Sequence, residues 1–173
     1  MLTLLKLLQS FIKTLHSEGS PGQIAAGVAL GAALGLTPLL NLHNLVILSL
    51  IIILNVSFAG GMLGLALFTP LGFLLDPVFD RAGHALLLDT PALTPLWTVL
   101  YNVPGVPYTN FNNTVVLGSF VCWVLLAVPI FFAARYGVLR YRATLGERVR
   151  ASRLYQAITA SKVYNVYRWF RPD

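Results

Sequence analysis

Two groups of polar side chains in this sequence have residue types that could do chemistry. Asp76 and Asp80 lie four residues apart, and His84 follows after another four, so a helix would place the two carboxylates on one face. Paired carboxylates serve general acid–base catalysis, and an enzyme that acts on lipids is one hypothesis that they support. A solvated helix face with Asp76 as its N-cap is the simpler interpretation. We therefore predict that the protein is not an enzyme.

The second group is Asn41, His43 and Asn44, a strongly polar cluster in an otherwise apolar run. Polar groups inside a membrane are costly and often functional, so the cluster could form a substrate or ion site. The competing interpretation is local: Asn41 caps a helix, and the other two satisfy backbone groups of a turn. The sequence has no HExxH, CxxC or glycine-rich phosphate motif, and its single cysteine is Cys122. We therefore predict no metal and no cofactor.

Composition places both groups in a membrane protein. Of the 173 residues, 57% are hydrophobic and 10% are charged, against roughly 25% charged in soluble domains. No Asp, Glu, Lys or Arg occurs in residues 19–75 or in residues 91–134. Because a charge at the bilayer centre costs about 2.5 to 3.5 kcal/mol, these runs are the parts of the chain that hydrocarbon can surround. A water-soluble enzyme is nearly excluded.

The positive charge lies mainly after residue 134 and predicts the orientation. Basic flanks of membrane spans remain cytoplasmic, so we expect both termini inside, the net acidic segment outside, and an even number of crossings. Nucleic-acid binding is not expected, because the basic charge adjoins a span and no nucleic-acid-binding pattern accompanies it. The arginines expected to contact anionic lipid are Arg135, Arg140, Arg142, Arg148, Arg150 and Arg153.

These patterns predict an all-α, multi-pass membrane protein. Residues 1–19 form an interfacial amphipathic helix, and residues 136–173 form a basic cytoplasmic tail that is also interfacial. The membrane domain, residues 20–135, divides into a short glycine-rich hairpin (22–55), a span (57–75), an external segment (76–113) and a span (114–134). The first hairpin helix would be about 24 Å long against a hydrocarbon core of about 30 Å, so the hairpin either re-enters or makes two thin crossings. The predicted helix caps and breaks are Ser20, Pro21, Thr37, Pro38, Asp76 and Pro77.

Glycines at four-residue intervals mark a helix-packing face. Gly27, Gly31 and Gly35 fall on one stripe of the first hairpin helix, and Gly60 and Gly64 repeat the spacing once. Without a Cβ, another helix backbone can approach closely. The stripe could serve packing inside the chain, with Gly60 and Gly64 as the counterpart, or an interface with a second subunit or a partner.

The same residues carry a resemblance to a known family. The first motif consists of Ser20-Pro21, Ile24-Ala25, Gly27, Ala29-Leu30-Gly31, Gly35 and Thr37-Pro38-Leu39, followed by a polar turn and an aliphatic run. It resembles the signature of a small bacterial inner-membrane protein family of unknown function. A second motif resembles a compact subgroup of this family and consists of Leu75–Phe79, Pro95–Trp97, Tyr101-Asn102 and Phe111–Thr114. Together the resemblance covers about residues 20–135.

The resemblance implies a protein of the bacterial inner membrane. The subgroup is similar to proteins associated with large AsmA-like periplasmic proteins, which carry lipid between the bacterial membranes. We therefore expect a non-catalytic subunit that docks or anchors an AsmA-like partner in envelope lipid transport. The alternative is a small homo-oligomeric transporter or channel with a polar site at Asn41, His43 and Asn44.

Overall fold

A computed structural model describes residues 19–144, and within that range the chain is all-α, with five α-helices and no strand. The helices are α1 (Pro21–Leu36), α2 (Leu42–Ile53), α3 (Phe58–Leu87), α4 (Thr94–Tyr101) and α5 (Thr114–Thr144). Single turns of 3-10 helix lie at Pro91–Leu93 and Val106–Thr109. The predicted helix at 1–19, except Gly19, and the tail beyond residue 144 lie outside the described residues, together with Arg148, Arg150 and Arg153.

The start of α1 follows from its first four residues. The Gln23 amide donates to Ser20 Oγ at 3.2 Å, and the Ser20 amide donates to Gln23 Oε1 at 2.8 Å. This reciprocal pair satisfies two donors that a helix N-terminus leaves free. Pro21 occupies the first helical position, where its missing N–H costs nothing. The helix ends at Leu36 because Thr37 adopts extended backbone before Pro38.

One boundary differs from the sequence prediction. Asp76 and Pro77 do not begin a new helix, because both lie inside the continuous 30-residue helix α3, as does Pro70. Proline's fixed φ suits a helix, and the cost is one lost backbone hydrogen bond and a local clash. Packing contacts at Gly72 and Phe79 hold α3 against its neighbours on both sides of Pro77. The division between a span at 57–75 and a separate helix after it is therefore wrong.

The last helix also continues beyond its predicted end. The second span was expected to close at residue 134, but α5 runs without interruption through Arg135 to Thr144 and contains Pro129. The first nine residues of the predicted tail therefore extend this helix. Both α3 and α5 are long and apolar enough to cross a membrane.

The helices form a bundle in which α1 runs parallel to α3, while α5 runs antiparallel to α3. Two clusters fill it. Ile24, Val28 and Val138 pack where α1 begins, and Leu34 and Ile47 belong to the cluster that joins α1 to α2. We call the end of the bundle where α1 begins and α5 finishes the near end. The opposite end, which holds the α1–α2 turn and residues 88–113, is the far end.

Candidate functional site

Glycines allow α1 and α3 to approach until their backbones touch. A Cβ added at Gly31 would overlap the backbone of Gly61, and one added at Gly35 would lie 2.8 Å from the Leu65 carbonyl oxygen. Only glycine permits this spacing, since the obstructing atoms belong to the other backbone. We call this contact the glycine seam. Its residues are Gly27, Gly31 and Gly35 of α1 and Gly60, Gly61 and Gly64 of α3.

The glycine seam lies inside the chain. The stripe on α1 faces α3, the first long helix, rather than the second half of the predicted hairpin. Helix α2 joins α1 through apolar side chains instead, with Ile47 and Ile51 against Ala33 and Leu34. In this structure the seam is therefore occupied and does not present a free surface for a second subunit.

A second close crossing, which the sequence reasoning missed, joins α3 to α5. A Cβ at Gly83 would overlap the Thr114 carbonyl, and one at Gly118 would overlap the Phe79 carbonyl. Gly72 makes a similar approach to α1, 2.6 Å from the Gly35 carbonyl oxygen to the position of its Cβ. Gly61, Gly72 and Gly83 recur every eleven residues, which is close to three helical turns. That spacing was the available signal.

The turn between α1 and α2 has its polar groups paired with one another. The Thr37 hydroxyl lies 2.8 Å from the Ala33 carbonyl oxygen and 2.8 Å from Asn44 Oδ1. The Pro38 carbonyl accepts from Asn41 Nδ2 at 2.5 Å and from Asn44 Nδ2 at 2.7 Å. Asn41 occupies the N-cap position of α2, but its side chain makes no capping hydrogen bond there. These contacts satisfy turn groups that lipid could not satisfy.

A residue far along the sequence forms a hydrogen bond with this turn. Asn110, after the 3-10 turn of the far end, donates through Nδ2 to Asn41 Oδ1 at 2.6 Å. Its φ of 55° is left-handed, a conformation that asparagine tolerates better than most residues. We call Thr37, Pro38, Asn41, Asn44 and Asn110 the polar turn. Sequence reasoning missed Asn110, because its partner lies 69 residues away.

His43 stands beside the polar turn without joining its network. Its ring centroid lies 5.1 Å from that of Phe120. Its Nε2 atom is buried and has no hydrogen-bond partner. The three residues predicted as one cluster therefore separate: Asn41 and Asn44 bind the turn, while His43 packs against α5.

Two acidic residues of the external segment, Asp80 and Asp89, have partners in the structure. Asp80 accepts a short hydrogen bond from the Thr114 hydroxyl, and His84 Nδ1 lies 3.2 Å from Asp89 Oδ2 on an exposed surface. Asp76 lies a full turn before Asp80 on α3. Among residues 19–144 no group of three or more His, Cys, Asp or Glu side chains could hold a metal ion.

The three described arginines of α5, Arg135, Arg140 and Arg142, lie toward the near end of the bundle. Arg142 Nη2 donates to the Gly19 carbonyl at 2.9 Å and so connects α5 to the residues before α1. The Arg140 guanidinium lies 6.0 Å from the Tyr136 ring centroid, and Arg135 is exposed. The three side chains can therefore provide positive charge at one end of the bundle.

Fold and site together define a class of protein: a helical bundle with two helices long and apolar enough to span a membrane, joined by glycine contacts. Residues 6–145 match the family described as "Uncharacterized protein conserved in bacteria (DUF2062)", and the chain belongs to that family. It is 29% identical over 156 residues to an uncharacterized protein of Treponema pallidum (strain Nichols), covering 88% of this chain and 93% of that protein. No solved structure matches the chain.

Proposed function

We propose that the protein is a non-catalytic, multi-pass subunit of the bacterial inner membrane that docks a periplasmic AsmA-like partner in envelope lipid transport. The proposal combines the sequence resemblance with the arrangement of the described helices. It places both termini in the cytoplasm and the far end in the periplasm. The observation that supports it most is the difference in charge between the two ends of one apolar bundle.

The sides of the bundle favour a lipid environment. In the most apolar parts of α3 and α5, only 22% of residues are buried within the chain, whereas a core helix of a soluble protein is buried on most sides. Large side chains on α2 are also exposed, among them Leu45, Ile52 and Ile53. Exposed apolar surface on this scale is unusual for a soluble monomer.

The ends of the bundle favour the stated orientation. Arg135, Arg140 and Arg142 lie toward the near end, and basic residues next to spans favour the cytoplasmic side. Asp76, Asp80 and Asp89 lie toward the far end, together with the basic residue Arg81. A reporter that is active only in the periplasm should therefore stay inactive when fused after Asp173 and become active when inserted after Asn102. The reverse result would contradict the orientation.

The far end offers a surface that a periplasmic partner can contact. Residues 91–113 contain no charged side chain, and Val99, Tyr101 and Tyr108 are exposed there. The Trp97 indole N–H donates to the Leu86 carbonyl at 3.0 Å and holds this segment onto the end of α3. Exposed tyrosines on a rigid support suit protein recognition, because they bury a large area at low entropic cost.

Site-specific photocrosslinking in native membranes tests the docking proposal. A benzophenone side chain at Tyr108 should capture a large periplasmic protein with AsmA-like sequence, identified by mass spectrometry. The same group at Ile52, which is exposed on α2, is the matched control and should capture only lipid or nothing. Capture of no protein at Tyr108, together with a native complex that holds this chain alone in mild detergent, would overturn the proposal.

One observation favours a second candidate, a small homo-oligomeric transporter or channel. The buried Nε2 atom of His43 has no partner among the described residues, and intramembrane polar groups often mark a substrate path. Vesicles that contain the purified chain should then show solute or ion flux that His43→Ala alters. Absence of flux for both cations and anions would remove this candidate.

A further inference from the structure

We infer that this bundle imposes a thinned bilayer around itself, and that the thinning speeds the passage of phospholipids between the two leaflets. The inference deepens the proposed function by naming phospholipid as the substrate, and it rests on that function for the membrane location. It needs no partner protein. Two independent measures of apolar thickness carry it, one from the hairpin and one from the long helices.

The first measure is the length of α1 and its position along α3. The Ser57 amide donates to the Gln23 carbonyl at 3.0 Å at the near end, and Gly72 approaches Gly35 at the other end. Helix α1 therefore lies beside residues 58–72 of α3 and finishes one turn before Asp76, the first charged residue of α3. The hairpin thus reaches from the near end to the level at which charge begins.

Both helices of the hairpin are shorter than the hydrocarbon core of an ordinary bilayer. With 16 residues in α1 and 12 in α2, the two helices are about 24 Å and about 18 Å long at 1.5 Å per residue. The hydrocarbon core of an ordinary bilayer is about 30 Å thick. Polar groups close both ends of α1, with Ser20 and Gln23 at one end and the polar turn at the other. The helical part of α1 ends at these groups.

The second measure comes from the offset between α3 and α5. Gly83 lies against Thr114 and Phe79 against Gly118, so the two antiparallel helices have a fixed register. Helix α3 has 30 residues and α5 has 31. In this register, Asp76 of α3 lies beside the apolar part of α5.

Extending this register along the bundle gives the thickness of the layer in which neither α3 nor α5 carries a charged residue. It places Asp76 at the level of Val121, and Arg135 at the level of Met62. The near-end cluster, in which Ile24 meets Val138 while the Ile24 backbone meets Gly60, agrees with the same register. The layer between Asp76 and Arg135 is then about 14 residues deep, or about 21 Å.

Both measures fall about 6 to 12 Å below the thickness of an ordinary hydrocarbon core. A short apolar belt is accommodated by thinning of the surrounding lipid and by snorkelling of flanking side chains. Snorkelling can extend the reach of Arg135 but not that of α1, whose ends are backbone turns. A thinner core shortens the apolar path that a phospholipid headgroup must cross, and the energetic cost of polar groups in hydrocarbon sets that barrier.

Two substitutions can lengthen the apolar belt without changing net charge. Replacing Asp76 and Arg135 together by leucine moves the nearest charges to Asp80 and Arg140. In the same register that layer is about 23 residues deep, or about 34 Å. The matched control is Asp89→Leu with Arg140→Leu, which removes the same charges from two exposed positions and leaves Asp76 and Arg135 in place.

The full-length chain in vesicles without any partner provides the test. Thermal unfolding is measured in phosphatidylcholine vesicles with dimyristoleoyl, dioleoyl or dierucoyl chains. The native chain and the Asp89→Leu/Arg140→Leu control should be most stable in the shortest lipid, and Asp76→Leu/Arg135→Leu in the dioleoyl lipid. A native optimum in dioleoyl or longer lipid would overturn the inference whether or not the lengthened variant folds.

Translocation is measured in dioleoyl vesicles with a fluorescent phospholipid and a quencher that does not cross the membrane. The native chain and its control should speed loss of the protected fluorescence by at least about tenfold, equal to about 1.4 kcal/mol in barrier. The lengthened variant should lose most of that gain. No acceleration by the native chain would overturn the substrate assignment, whereas docking is decided separately by the crosslink at Tyr108.

Discussion

Replacing Gly31 by alanine should push α1 away from α3, because the new methyl group would overlap the backbone of Gly61. No side-chain rotation can relieve a clash between a Cβ and a backbone, so the helices must separate by about 1 Å or bend. Overpacking of this kind typically costs about 1 to 3 kcal/mol. Alanine offsets about 1 kcal/mol of that cost through its higher helix propensity.

The net loss should therefore be about 0 to 2 kcal/mol, up to a factor of roughly 30 in the ratio of folded to unfolded protein. The assay is the loss of helical circular dichroism on titration with a denaturing detergent. Gly137→Ala is the matched control, because position 137 lies in α5 and an added Cβ there meets nothing within 4 Å. The control should keep or gain stability. Equal or greater stability of Gly31→Ala than of Gly137→Ala would refute the reasoning about the glycine seam.

Substitutions at three further positions test the second crossing, the polar turn and its connection to the far end. Gly118→Ala should destabilise like Gly31→Ala, since its Cβ would overlap the Phe79 carbonyl; unfolding at the Gly137→Ala midpoint would contradict this. Thr37→Val should cost about 1 to 3 kcal/mol in thermal unfolding, because Asn44 loses its buried hydroxyl partner, and Thr37→Ser should retain native stability. Asn110→Gly keeps the left-handed backbone but loses the hydrogen bond to Asn41, so backbone hydrogen exchange at 37–44 should become faster. The increase should be larger in Asn110→Ala, because alanine also costs about 1 kcal/mol in backbone strain. Native exchange rates in both variants would show that the connection is not needed.

The parts of the fold that local chemistry controls were accessible from the sequence. The Ser20–Gln23 pair, the proline after it and the break at Thr37–Pro38 depend on residues within four positions of one another, and each has one simple structural solution. The four-residue glycine spacing on α1 likewise identified a close-packing face. The matching spacing at Gly60 and Gly64 indicated one of two alternatives, a partner within the chain, and the structure has this contact.

The parts that tertiary contacts control were missed. Pro77 looked like a helix start, because Asp-Pro is a good local beginning, but packing at Gly72 and Phe79 keeps α3 continuous through it. Gly118 has no second glycine at helical spacing near it in α5, and its role follows only from its contact with Phe79. The same holds for Asn110, whose role depends on a turn far away in the sequence.

The parallel packing of α1 on α3 has a consequence for biosynthesis. Gly31 meets its partner Gly61 only after α2 and the first turn of α3 have been made, and non-local contacts of this kind form late. During that interval the nascent α1 exposes its glycine stripe without the helix that covers it. With the proposed membrane location, the seam can therefore close only if α1 and α2 remain near the emerging α3 until its first turn is complete.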